Sequence, residues 1–358
     1  MPYDSALLLF AALAFLTAGP YEERLPPVGT IDFYGLRRIS AAEARRALAL
    51  KEGDDLTSSE DALRRKLQDA QRQLETSLGV AQARLELVCC EADRLIVYVG
   101  IVESGTAAVA ESPAAPQGGV RLAEDVVQAG RAFEVALRSA AERGDTSEDH
   151  SSGQALSRDP GLRAAEDRFV TIAERDPQRL RDVLHHSADA DHRALAAQIL
   201  GYAPNKREIV GDLVDAAQDP AAAVRNNAMR ALWVMADLAN RSPGLGIHIP
   251  AGPFVRLLNS IQWSDRNKAS VALLSLTEAR DEGVLSALCA EEEAIPALGE
   301  MARWKASGHA LPAFFILGRL AGLPEEQIEA AWTRGDREAV IASATACAKT
   351  LAPSAPPP

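Results

Sequence analysis

Apolar and polar positions along the chain fall into three regimes. Residues 6 to 18, "ALLLFAALAFLTA", are a nearly unbroken apolar run. Between 29 and 103 short alternating stretches flank helical stripes, and from 161 onward the spacing is helical throughout. In "TIDFYG", Ile31 and Phe33 alternate with Asp32 and Tyr34, which predicts a strand with one buried and one wet face, ended by Gly35. Ser40 and Glu43 are spaced as a capping box, followed by Ala44, Ala47 and Leu48 on one helical face. Thr57 and Glu60 form a second box ahead of Leu63, Leu67, Ala70, Leu74 and Leu78. That stripe needs an apolar partner, and the hairpin "AQARLELVCC" and "RLIVYVGIVE" offers one in Ala83, Leu85, Leu87 and Cys89.

The rest of the pattern divides as follows. Residues 104–120 are Ala-, Pro- and Gly-rich and read as a linker. A helix is expected over 121–142, a polar mobile linker over 143–160, and a helical domain over 161–350. The tail, 351–358, ends in prolines and cannot continue a helix. Within the helical domain a motif recurs: Arg193, Ala196 and Leu200, then Arg225, Ala228 and Leu232, then Arg266, Ala269 and Leu273. Ala313 and Leu317 continue it without the Arg. The Ala-to-Ala intervals of 32, 41 and 44 residues are those of a helical solenoid with insertions.

Two resemblances follow from these residues. The order strand, helix, helix, strand, strand over 29–103 carries Gly35, "LALKEGDDL", Leu78-Gly79 and "LIVYVGIVE" ending at Glu103. It resembles the POTRA domain, the polypeptide-transport-associated module of bacterial outer-membrane assembly and secretion proteins. Unlike that family, Leu36 follows Gly35 and no transmembrane barrel follows the module. "LVDAAQDPAAAVRNNAMRALWVM", with Asp219-Pro220 in the turn and Val224-Arg225 opening the next helix, resembles a HEAT repeat. The expected fold class is therefore a small α+β N-terminal domain joined to an all-α HEAT-like solenoid, each folding independently.

Composition narrows the partners. The 358 residues carry 38 Lys and Arg against 50 Asp and Glu, a net charge of -12, which repels phosphate backbones and argues against nucleic acid. The run at 6–18 is shorter than the ~20 residues of a spanning helix and fits a signal-peptide core or short anchor, which places the protein outside the cytoplasm, in the periplasm or envelope. The segment before it carries Asp4 and no Lys or Arg, unlike a usual signal sequence. The four cysteines lack the spacing of a zinc site or disulfide framework, and Cys89 and Cys90 are expected on opposite strand faces.

The chain has no Gly-rich phosphate loop, G-x-S-x-G or H-E-x-x-H pattern. His185, His186, Asp189, Asp191 and His192 are residue types that bind zinc, yet the HEAT register puts them at an ordinary polar turn, so no metal or other cofactor is expected. Arg37, Arg38, Arg45, Arg46, Arg64, Arg65 and Lys66 suit the wet faces of amphipathic helices, and acidic neighbours dilute their pull on a lipid surface. The four tryptophans are expected in the core.

These readings converge on a non-enzymatic scaffold that binds polypeptide partners, including envelope assembly machinery near a membrane. The POTRA resemblance implies an outermost second strand able to receive a peptide, with Arg84, Glu86 and Val88 as its contacts. The loop "NRSPGLGIHIP" would offer Ile247, His248 and Ile249. A metal-dependent hydrolase or other enzyme built on the helical repeats is the alternative.

Overall fold

The computed structural model describes residues 25–56, 59–106, 113–145 and 147–351. The apolar run at 6–18, Thr57 of the second capping box and the tail from 352 lie outside the described residues.

The first unit comprises β1 (Val28–Tyr34), α1 (Ala41–Ala47), α2 (Glu60–Leu78), β2 (Gln82–Glu91) and β3 (Arg94–Val102). The sheet order is β1-β3-β2, with β1 parallel and β2 antiparallel to β3. Ser40 and Glu43 cap α1 reciprocally, as their spacing requires. Gly35 has φ 78, and a Cβ there would stand 2.2 Å from the Ile101 carbonyl oxygen, so only glycine permits this exit from β1. The exit is secured by Glu103, whose Oε1 accepts the backbone N–H of Arg37, Arg38 and Ile39 at 2.7, 2.8 and 2.9 Å.

One face of the sheet, with Ile31, Leu85, Val97 and Val99, packs beneath Ala44, Leu63 and Leu74 of the two helices. The opposite face was expected to be wet. It is buried instead: Tyr34 and Tyr98 are 0% exposed and Asp32 is 8% exposed. The helical domain covers it, so the sheet is a middle layer and the two units share an interface. Strand β3 is accordingly buried without interruption from Leu95 to Ile101, the pattern of a strand covered on both sides. Cys89 and Cys90 do not take opposite faces; they are joined by a disulfide where the β2 register shifts before Glu91.

Helical packing begins before residue 161. Helix α3 (Glu124–Glu142) lies on α4 (Pro160–Arg175), with the Phe133 and Phe169 rings 5.0 Å apart. The intervening segment forms a hairpin of β4 (Glu148–Asp149) and β5 (Leu156–Ser157), strapped to the helices rather than hanging as a linker. Buried Glu148 pairs with Arg230 and His150, while Glu166 accepts the Ser157 N–H. Residues 113–120 are also held: Gly118 bridges to Ser187, and its carbonyl accepts the Ala188 N–H at 2.7 Å.

Beyond α4 run α5 (Pro177–His186), α6 (Ala190–Leu200), α7 (Lys206–Ala216), α8 (Ala222–Arg241), α9 (Gly252–Leu257), α10 (Trp263–Leu276), α11 (Glu282–Ala290), α12 (Ala294–Ala302), α13 (Ser307–Leu320), α14 (Glu325–Arg334) and α15 (Arg337–Leu351). Helices α6, α8, α10, α13 and α15 pack successively, forming a helical-repeat solenoid. The recurring Ala196, Ala228, Ala269 and Ala313 are all 0% exposed, at the tight crossings their small size suggested.

The recurring arginines are buried rather than solvated. Each bonds the carbonyl six residues earlier: Arg193 to Ser187, Arg225 to Asp219, and Arg266 to Ser260. Each also reaches a carboxylate in the following repeat: Arg193 grips Asp219 at 2.8 and 2.9 Å, Arg225 grips Asp265 at 3.0 and 2.8 Å, and Arg266 reaches Glu300 at 3.2 Å. The repeat therefore specifies a ladder of charge-assisted bonds between successive turns.

Candidate functional site

The sheet docks where the turns before α10 and α13 meet its second face. Tyr98 stacks on Trp263 with centroids 5.0 Å apart and planes 17° apart, and lies 4.8 Å from Trp304. Its hydroxyl is 2.7 Å from His309 Nδ1. Tyr34 donates its hydroxyl to the Ile261 carbonyl at 2.7 Å, while the Arg266 guanidinium sits 4.6 Å from its ring centre. Asp32 accepts the Lys305 N–H at 2.8 Å, and Glu86 accepts that of Trp263 at 3.0 Å. Gly100 permits the close approach, because a Cβ there would stand 2.6 Å from the Ile261 carbonyl oxygen.

Burial sets the electrostatics of this contact. It pushes the Tyr34 and Tyr98 hydroxyls well above their ordinary value, so both keep their protons. His309 is pushed down to about 4 by burial and then by the charge of Lys268, leaving a neutral imidazole. Asp32 is raised by burial, against the Lys305 N–H and charge that lower it.

Beside the docked faces lies a cleft of about 490 Å³, bounded by the end of the sheet at Tyr34, Gln82 and Val102 and by the solenoid turns at Pro220 and 253–262. Its charged floor is internally balanced. Arg225 pairs with Asp265, Arg37 and Arg266 share Glu300, and Arg37 also pairs with Glu293. Arg256 is exposed at the cleft, bonded to Gln218 Oε1 at 2.7 Å and paired with no carboxylate among the described residues.

The outer strand β2 presents a second surface. Ala83 turns its N–H and carbonyl away from β3, to Glu75 at 2.9 Å and Gln71 at 3.3 Å. Strand alternation therefore turns the backbone groups of Leu85 and Leu87 outward, where they have no partner among the described residues, and those of Arg84 and Glu86 inward to β3.

This alternation moves the expected peptide contacts. Glu86 and Val88 face the helical domain; Val88 is 1% exposed and belongs to its core. Arg84 bonds Glu86 at 3.0 Å. In the 240–250 loop, Ile249 is buried at 5% exposure and Ile247 packs on the core, so only His248 of the expected trio is exposed. Leu245, not singled out by the sequence, is the loop's exposed apolar residue at 47%.

The histidine-rich turn is divided among separate partners. His185 bonds Asp212 at 2.6 Å, His192 Nδ1 accepts the Leu122 N–H at 2.9 Å, Asp189 caps α6, and His186 points to solvent. No group of three metal-ligating residues occurs among the described residues. Of the basic cluster, Arg37 and Arg38 meet Glu300 and Glu103, and Arg45 meets Glu52. Trp263 and Trp304, expected as plain core, are the docking residues. A signal was present: "LIVYVGIV" lacks the alternation of a half-wet strand.

No protein-family model matches the chain. No curated protein matches it either. Among solved structures, a designed armadillo repeat protein in complex with the peptide (KR)4 is similar over 53% of this chain and 95% of its own, with 14% identity and a TM-score of 0.32. At that score the likeness adds nothing to the helical-repeat assignment, which rests on the stacked helices.

Proposed function

We propose that the protein is a non-enzymatic, extracytoplasmic interaction adaptor whose POTRA-like sheet unit receives an extended polypeptide along β2, with the solenoid as its rigid platform. The observation that carries this reading is the pair of outward backbone edges at Leu85 and Leu87. An unpaired edge is a template for strand addition, in which main-chain bonds supply affinity. The β1 edge is occupied along its first part by comparison: Val28 bonds the 53–54 turn, and Ile31 bonds Glu52 and Arg45. The β1-β3-β2 order with two helices on one face supports the POTRA-like reading.

Leu87→Pro tests it, because it removes an outward N–H while sparing the β2–β3 ladder, a position where an edge strand tolerates proline. Loss of peptide capture by a variant with unchanged unfolding supports the adaptor reading, and unchanged capture contradicts strand addition. Export is tested separately by the mass of the mature protein after fractionation. An N-terminus near Gly19 fits extracytoplasmic action, and full-length protein confined to the cytosol contradicts it.

A further inference from the structure

We propose that the junction cleft is a second polypeptide site, built for an extended segment bearing a carboxylate side chain, with Arg256 as its anchor. The proposal rests on the adaptor reading and adds a different surface and a partner chemistry to it.

Hydrogen-bond capacity in the cleft is lopsided. A guanidinium has no acceptor, so each carboxamide beside one must turn its oxygen toward it. Asn259 Oδ1 accepts from Arg37 and Arg266 at 3.3 Å, Gln262 Oε1 from Arg225 at 3.4 Å, and Gln218 Oε1 from Arg256 at 2.7 Å. The three amide NH2 groups are left without partners among the described residues. Most carboxylate capacity is taken: Asp265 holds Arg225 and Ser260, Glu300 holds Arg37, Arg266 and the Gly35 N–H, and Glu293 holds Arg37 through one oxygen. The cleft thus offers donors and few acceptors.

The matching ligand is rich in acceptors. Backbone carbonyls of an extended segment can meet the carboxamide donors, while a carboxylate can form a two-pronged bond with Arg256, whose charge meets no carboxylate among the described residues. The cleft's volume, about 490 Å³, lies in the ~300–1,000 Å³ range of ligand clefts. Pro220, Pro253 and Leu257 supply apolar wall for the intervening side chains. On a chain of net charge -12, this cation, paired with no carboxylate among the described residues, marks where an acidic segment can meet a positive charge.

The test is selection of a random peptide display library on the full chain, followed by fluorescence anisotropy of the selected, labelled peptides. The expected result is a set of binders enriched in Asp and Glu over Lys and Arg. Their affinity falls at least tenfold in Arg256→Glu, falls less in Arg256→Lys, and is unaffected by Leu87→Pro. Because Arg256 is exposed, these variants should fold, and unchanged thermal unfolding checks that they do. Binders lacking acidic residues, or acidic binders indifferent to Arg256→Glu, overturn this inference while leaving the adaptor reading intact. No enrichment over an uncoated control overturns both.

Discussion

The Tyr98 hydroxyl and His309 Nδ1 meet at 2.7 Å although 211 positions separate them in the chain. With the imidazole neutral and its proton on Nε2, the hydroxyl donates to Nδ1. Protonating His309 removes that acceptor and places a cation beside Lys268 in a buried aromatic setting. Because the folded-state pKa of about 4 lies below the ordinary 6.5, the folded state binds fewer protons across this interval. The associated stability is present above about 6.5 and is lost as pH falls through about 4. The difference in unfolding free energy between wild type and His309→Gln should vary across that window; a pH-independent difference contradicts the assignment.

Gly100→Ala should act on the same contact. The added Cβ meets the Ile261 carbonyl oxygen and the Tyr34 ring at 2.6 and 2.7 Å. Overpacking of this kind costs about 1–3 kcal/mol. Denaturant unfolding of the full chain reads the loss, and an unchanged midpoint argues against the close approach.

The arginine ladder predicts a sharp contrast between two solenoid positions. Asp219→Ala strands Arg193, which is 1% exposed, and should cost about 3–5 kcal/mol. Asn226→Ala removes only a half-buried bond to the next residue and should stay within about 0.5 kcal/mol. Equal melting temperatures for the two variants would refute the ladder.

Glu103 predicts acid sensitivity inside the sheet unit. Burial raises its pKa, but the N–H groups of Ile39, Arg37 and Arg38 and the Arg38 side chain outweigh it, bringing the value down to about 2. Its stabilisation is complete above the ordinary 4.5 and fades as pH falls toward 2. Glu103→Ala leaves three backbone donors unanswered and should cost on the order of 3 kcal/mol near neutral pH. A loss below about 0.5 kcal/mol in chemical unfolding contradicts this role.

Much of this architecture was legible along the chain. The capping box at Ser40, the stripe through Leu63 and Leu74, and the repeated Ala196, Ala228, Ala269 and Ala313 are local signals, and each forms as its spacing requires. What escaped was long-range satisfaction of polar groups. Asp32 and Tyr34 read as a wet face because their partners, Lys305 and Ile261, lie more than two hundred residues away. The 143–160 stretch read as a linker because nothing near Glu148 announces Arg230. Likewise, Leu85 and Leu87 became the edge groups only once the side chains of α2 fixed which way Ala83 turns.

The central claim is that the sheet and the helical repeats form one body through the Tyr98 contact. A double-mutant cycle on Tyr98→Ala and Trp263→Ala in the full chain tests it most directly, because the stacked pair joins β3 to α10. Aromatic pairs couple by about 0.5–1.5 kcal/mol, so a favourable coupling of that size is predicted. Strictly additive losses would contradict the docking.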